Sequence, residues 1–257
     1  MKVFYFEYKR ESSIIHKLDP RAKLVYLILF TILTVYFTNP IILFLIFLSS
    51  LPMAILGKIV KKWIISIKGS LFFIVFIFIF NFIGIFWTTG NIIDTIIISI
   101  AMAIRFVSLI SIFSIFFLST SPEDLMQSMI KLKLPYEYVL TFNMAMRFVP
   151  TLAREAQTII DAQKSRGLEF EKGNIFQKVK KYIPILIPLI ISSLRRAEII
   201  ADAMESRAFG ASKTRSFLYT ITMSKIDFIF IIICIIIFTL FILIFKDILL
   251  HTIGLNS

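Results

Sequence analysis

The chain is poor in cysteine, histidine and charge, and each shortage excludes a class of function. One Cys in 257 residues excludes an intrachain disulfide framework, and that residue, Cys234, falls inside an apolar run. The two His, His16 and His251, stand near opposite ends of the sequence and exclude a multi-His metal site. No other His/Cys/Asp/Glu set has metal-ligand spacing. There is no glycine-rich loop closing on Gly-Lys-Ser/Thr, and so no phosphate cradle of the usual kind. Ser66, Ser70, Ser192 and Ser193 have no His in a plausible constellation, which leaves an intramembrane protease or lipid hydrolase without support. Only 17% of residues are charged, against about a quarter in soluble domains. So few polar groups cannot coat a globule of this size.

What is abundant is apolar. Hydrophobic residues make up 58% of the chain and Phe alone occupies 28 positions; the mean hydropathy is +0.88. The expected fold class is all-α, a polytopic membrane protein with about five transmembrane helices and a cytoplasmic helical region. Residues 22–37 and 41–56 form two runs separated by Asn39-Pro40. Each is short for a hydrocarbon core of about 30 Å, so a thin hairpin of two spans or a re-entrant pair are both open, two spans being favoured. Residues 71–87, 92–118 and 226–245 give three further runs. The expected organisation is 1–118 as an N-terminal lead and four spans, 119–225 as a cytoplasmic region, and 226–257 as a last span and external C-terminus. Residues 1–23 are basic and lack an apolar run with a small-residue cleavage site, so no signal peptide is expected there.

The net charge is +12, and its distribution sets the orientation. Six basic residues fall in 1–23, four in 58–68 and sixteen in 119–225, while the turns at 38–40 and 88–91 carry none. Basic residues collect on the cytoplasmic side. The N-terminus and the 119–225 region are therefore expected in the cytoplasm. Topology and anionic lipid headgroups account for the charge, without nucleic acid. Arg105 lies inside an apolar run, where an unpaired charge is costly. A structural anchor is favoured over a partner contact, and Asp94 is a candidate mate.

The 119–225 region reads as three helices. Ser121-Pro122-Glu123-Asp124 is a strong helix start, with a capping Ser, Pro in the first turn and early acids. A second helix runs from near Tyr136 past Pro150 to Arg166, stopping at Gly167. A third runs from about Phe176 through Pro184 and Pro188 to Arg207. Residues 183–194, apolar but short, suit a buried or interfacial helix better than a span. The second and third helices carry an internal repeat at an offset of 41. Arg154, Ala156, Ile159, Asp161, Ala162, Ser165 and Arg166 fall on Arg195, Ala197, Ile200, Asp202, Ala203, Ser206 and Arg207. Both helices thus end on a small residue, an Arg and a small residue: Ser165-Arg166-Gly167 and Ser206-Arg207-Ala208. An Arg in the last turn is favoured by the helix dipole. Its guanidinium offers five donors in a rigid fork to a carboxylate or carbonyls of a partner. Two such ends suit two equivalent receptor sites; the plainer alternative is a pair of well-capped surface helices.

These motifs resemble the transmembrane coupling subunit, or T component, of energy-coupling factor importers, in the cobalt-transport permease branch. The residues that carry the resemblance are Lys17-Leu18-Asp19-Pro20-Arg21-Ala22-Lys23, Ser121-Pro122-Glu123-Asp124-Leu125, Met146-Arg147-Phe148-Val149-Pro150 and the two Arg-centred helix ends. The resemblance implies a non-catalytic subunit whose two coupling helices dock into two ABC-type ATPase subunits. It also implies a small substrate-binding membrane subunit for vitamin or transition-metal uptake. This chain would hold no cofactor; ATP and Mg would be bound by the ATPases. The family's Ala-Arg-Gly motif maps onto Ser165-Arg166-Gly167 and Ser206-Arg207-Ala208, with Ser for Ala in both and Ala for Gly in the second. That second helix is expected to end slightly later, at Gly210. Arg154, Asp161, Arg195, Asp202 and Glu205 would support the helix ends, and Asp19, Pro20 and Arg21 form the N-terminal motif. A structural or assembly membrane protein without a transport role is the alternative.

Overall fold

The computed structural model describes residues 13–168, 175–211 and 222–245, all helical or connecting turns among the described residues. The chain divides into two compact units, one holding the described residues 13–132 and 222–245, the other 133–168 and 175–211.

The first unit contains α1 (Ile14–Lys17), α2 (Pro20–Tyr36), α3 (Pro40–Leu56), α4 (Val60–Gly69), α5 (Leu71–Thr89), α6 (Ile92–Ser119), α7 (Pro122–Lys131) and, returning late in sequence, α10 (Lys225–Ile244). Helix starts follow the expected chemistry. Asp19, Asn39 and Ser121 cap α2, α3 and α7, each followed by Pro, whose fixed φ and missing N–H suit the first turn. Gly90 ends α5 at φ 65°.

The first unit's helices meet the length of a membrane span unequally. Among the described residues α6 and α10 are long and apolar enough to cross, and α4 with α5 adds a third if that pair, bent by 44°, is one span. α2 and α3 have 17 residues each, about 26 Å of helix, short of a core of about 30 Å. They are also the helices that supply the interior: Phe30, Leu33, Ile42 and Ile46 are among the most buried side chains. The two short runs form the packed centre, and α5, with no buried side chain among its described ones, lies at its edge.

α6 is the hub, packing on α2, α3, α4 and α5. Its buried face sets small residues beside Ile112, Ile115 and Phe116. Thr95, Ser99, Ser108 and Ser111 are wholly buried, and small side chains let helix backbones approach in a membrane. Ser108 Oγ donates to the Leu43 carbonyl at 3.3 Å, and Trp63 Nε1 donates to Ser111 Oγ at 2.8 Å. Ser111 also shares a 2.6 Å hydrogen bond with Ser50, so one buried hydroxyl joins α3, α4 and α6.

Two cations join α2 and α6 at opposite ends. Lys23 Nζ donates to the Ser119 carbonyl at 2.7 Å and Arg105 Nη2 to the Phe37 carbonyl at 2.8 Å. Each positive group thus meets a carbonyl where the neighbouring helix ends, the negative pole of that helix. This corrects one expectation. Arg105 is a structural anchor, but its mate is a carbonyl, while Asp94 accepts from Asn91 at 2.8 Å. Lys23 is itself buried, only 3% exposed.

The second unit holds α8 (Tyr136–Ser165) and α9 (Ile175–Glu205), both about 45 Å long and packed on one another. α8 continues through Pro150 and α9 through Pro184 and Pro188. Glu155 of α8 meets Ser192 and Arg196 of α9, and Tyr136 meets Phe209 with ring centroids 6.4 Å apart. Partner numbers rise on one helix as they fall on the other, so the two run in opposite directions. Residues 183–194 lie inside α9, which is not apolar enough over its length to count as a span.

Candidate functional site

The two Arg-centred ends fold alike because their sequences place a chain-reversing residue directly after the Arg. At the end of α8 the Gly167 N–H reaches the Lys164 carbonyl at 2.9 Å and the Leu168 N–H reaches the Gln163 carbonyl at 3.1 Å. Gly167 sits at φ 89°. This is the paired 5→2 and 6→1 closure of a Schellman motif, with Arg166 as C-cap and Gly at the left-handed position. At the end of α9 the Ala208 N–H reaches the Glu205 carbonyl at 2.8 Å and the Phe209 N–H the Met204 carbonyl at 3.0 Å. All four residues lie 41 positions beyond their counterparts. The repeat is therefore carried into backbone geometry.

Ala208 departs from the expectation for this end. The helix does not run on to Gly210; α9 ends at Glu205, and Ala208 itself takes the left-handed turn at φ 55°. Gly210, at φ 90°, makes a second reversal, in which the Ala211 N–H donates to the Ala208 carbonyl at 3.1 Å. The closing bond from Phe209 to Met204, and its ring packing on Tyr136, hold Ala in a conformation that Gly adopts freely.

Ser165, Arg166, Gly167, Ser206, Arg207 and Ala208 are all exposed. Neither Arg166 nor Arg207 has a side-chain hydrogen bond or ion pair among the described residues, so each fork is free to accept a partner. Ser165 Oγ turns back to the Asp161 carbonyl at 3.0 Å and Ser206 Oγ to the Ala203 carbonyl at 3.1 Å, satisfying the hydroxyls locally. Of the expected supporting residues, Asp161 accepts from Gln157 at 2.9 Å and Arg154 Nε reaches the Pro150 carbonyl at 3.4 Å. Arg195, Asp202 and Glu205 are exposed. Between the helices the structure selects a different pair. Arg196 Nη2 donates to Glu155 Oε2 at 2.9 Å, Ser192 Oγ donates to Glu155 Oε1, and the Arg196 guanidinium lies 6.0 Å from the Phe148 ring centre. A signal for Glu155 and Arg196 was in the sequence: they are an equivalent pair of the repeat with opposite charges, as are Lys164 and Glu205 nearer the helix ends.

Asp19, Pro20 and Arg21 belong to the other unit. Asp19 caps α2, accepting from the Arg21 N–H at 2.9 Å, and its own N–H donates to Asp227 Oδ1 at 2.8 Å. Asp227 Oδ2 accepts from the Ser224 N–H at 2.7 Å. The carboxylate of Asp227, 1% exposed, thus joins the start of the first long helix to the start of the last. Among the described residues, no three His, Cys, Asp or Glu side chains gather closely enough to share a metal ion.

The architecture is that of an all-α polytopic membrane protein with a repeated, Arg-terminated helix pair. Residues 11–217 match the family model of CbiQ, cobalt transport protein. The chain is 36% identical over 224 residues to the energy-coupling factor transporter transmembrane protein EcfT of Streptococcus thermophilus, covering 80% of this chain and 84% of that protein. It is 35% identical over 237 residues to EcfT of Staphylococcus aureus, covering 84% and 87%. EcfT of Bacillus subtilis is 31% identical over 239 residues, covering 83% and 89%. The chain belongs to the CbiQ cobalt transport protein family, the transmembrane components of energy-coupling factor transporters.

Proposed function

We propose that the chain is the non-catalytic coupling subunit of an energy-coupling factor importer for a vitamin or transition-metal substrate. Two ABC-type ATPase subunits bind ATP and Mg, and each receives one Arg end of this chain. Ser165-Arg166-Gly167 docks into one and Ser206-Arg207-Ala208 into the other. The helix pair passes their movement to a small substrate-binding membrane subunit, which supplies the substrate selectivity. The N-terminus and residues 119–225 are cytoplasmic and the C-terminus is external, in a plasma membrane with five crossings; α2 and α3, short as they are, make two of them.

The observation that carries this reading is the pair of equivalent Schellman-closed ends at an offset of 41, each presenting an unengaged Arg. A pair of merely well-capped surface helices has no need to repeat the Arg at the same position of the same turn.

The test is ATPase copurification and substrate uptake for R166A, R207A and the double variant at matched membrane levels. Truncating an Arg paired to a charge across an interface costs about 2–5 kcal/mol. Each single change is expected to weaken ATPase recovery and uptake, and the double change to nearly abolish both. Full ATPase recovery with normal uptake in the double variant overturns the docking role.

A further inference from the structure

The repeat makes residue 155 the counterpart of residue 196, and these two side chains touch. Where two equal parts are related by a two-fold axis, a residue meets its own counterpart only on that axis. The Arg196–Glu155 contact, 2.9 Å between Nη2 and Oε2, therefore marks the centre of the α8–α9 pair. From it, eleven residues of helix, or about 17 Å, lead to Arg166 along α8 and eleven to Arg207 along α9. The helices run in opposite directions, so the two ends project to opposite sides of the contact, each the same distance from it.

The chemistry at the centre fixes more than proximity. Both carboxylate oxygens of Glu155 are used, one by Arg196 and one by Ser192, a single turn apart on α9. The guanidinium is also placed over Phe148, two turns before Glu155 on α8. Apolar side chains alone tolerate sliding. A charged pair with two donors on one acceptor group specifies register and angle. With side chains 31% and 25% exposed, the pair adds modest stability for an ion pair open to water; its value lies in geometry.

Resting on the docking reading above, we propose that Glu155 and Arg196, with Ser192, are positioning residues that act as the pivot of the coupling-helix pair. They set the separation of the Arg166 and Arg207 ends, and they make a displacement applied at one end appear at the other. Loss of the pivot leaves both Arg docks chemically intact but lets the helices change angle independently, so that ATP is hydrolysed with less substrate moved.

The experiment uses E155R, R196E, the E155R/R196E exchange and E155Q. The first readout is the distance distribution between spin labels at positions 164 and 205, on the full chain in nanodiscs without partners. The second is substrate imported per ATP hydrolysed by the intact complex. Either single reversal should broaden the distribution and lower uptake per ATP by about tenfold, the equivalent of one charged hydrogen bond. The exchange should restore both, because the Ser192 hydroxyl accepts from an Arg at 155 as readily as it donates to Glu. E155Q, which keeps the Ser192 contact and the fold, should give an intermediate effect on both. Unchanged distances and uptake per ATP in the single reversals and E155Q overturn the pivot, as does an exchange that restores neither. Failure of the docking reading is seen separately, as normal ATPase recovery and uptake in the R166A/R207A double variant.

Discussion

At the residue scale, Ala208 and Gly167 hold the same place in two copies of one turn and differ by a methyl group. A Cβ in the left-handed region costs about 1–2 kcal/mol against the following carbonyl, and Gly is exempt. A Cβ added at Gly167 would meet no atom within 4 Å, so only the conformational cost separates the two residues. Ala208→Gly should therefore tighten the end of α9, and Gly167→Ala should loosen the end of α8. The amides that close the two turns, Phe209 and Leu168, report this directly. Hydrogen exchange at Phe209 should slow about fivefold in A208G, and exchange at Leu168 should speed up about fivefold in G167A, each about 1 kcal/mol of local opening. Equal exchange in variant and parent at either amide would show that the turn is held by its surroundings and not by its own backbone preference.

At the scale of elements, the antiparallel α2–α6 pair is fastened by a cation at each end. Lys23 is the more exacting of the two, since its ammonium is buried where α6 ends. Lys23→Met keeps the aliphatic stem and removes the donors, leaving the Ser119 carbonyl without that bond. The expected loss is about 1.5–3 kcal/mol, read as a lower melting temperature in detergent. A Lys61→Met control, at an exposed position of α4, should melt as the parent does. If K23M melts with the parent, the Lys23–Ser119 bond adds nothing to stability. Much of this scale was legible beforehand. Ser121-Pro122 marked the start of α7, Asn39-Pro40 the break between α2 and α3, and the offset of 41 both Arg ends. The polar fastenings were not legible, because a Lys or a Ser in an apolar helix shows its residue type in a sequence and not its partner. The small-residue face of α6 left a trace, Thr95, Ser99, Ser108 and Ser111 at mostly helical spacing, but hydroxyls in a long apolar run do not say which neighbour they face. Gly210 misled because glycine is the commoner stop for a helix. The closing bonds at Ala208 were set by the repeat and outweighed that preference.

At the scale of the whole molecule, the decisive quantity is the side of the membrane on which each stretch lies. Twenty-six of the 28 basic residues fall in 1–23, 58–68 and 119–225, and moving such stretches outward across the bilayer is disfavoured. Two parts of the proposed function hang on this: that both Arg ends share a compartment with ATP, and that the chain crosses the bilayer an odd number of times. The lengths of α2 and α3 make the second the more vulnerable, since a re-entrant α2–α3 pair would remove two crossings and leave the parity intact. Single Cys probes at positions 12, 172 and 257 test parity, with probes at 39 and 57 on the two turns that bound α3. The natural Cys234 is buried, so its replacement by Ser or Ala removes background labelling at small cost. In intact cells a membrane-impermeant maleimide should label position 257 and position 39, and should reach 12, 57 and 172 only after permeabilisation. Labelling of 172 from outside would place the Arg ends away from ATP and overturn the docking reading together with the topology. Protection of 39 in intact cells, with 257 still labelled, would make α2–α3 a re-entrant hairpin of a three-span protein and leave the cytoplasmic Arg pair where it is.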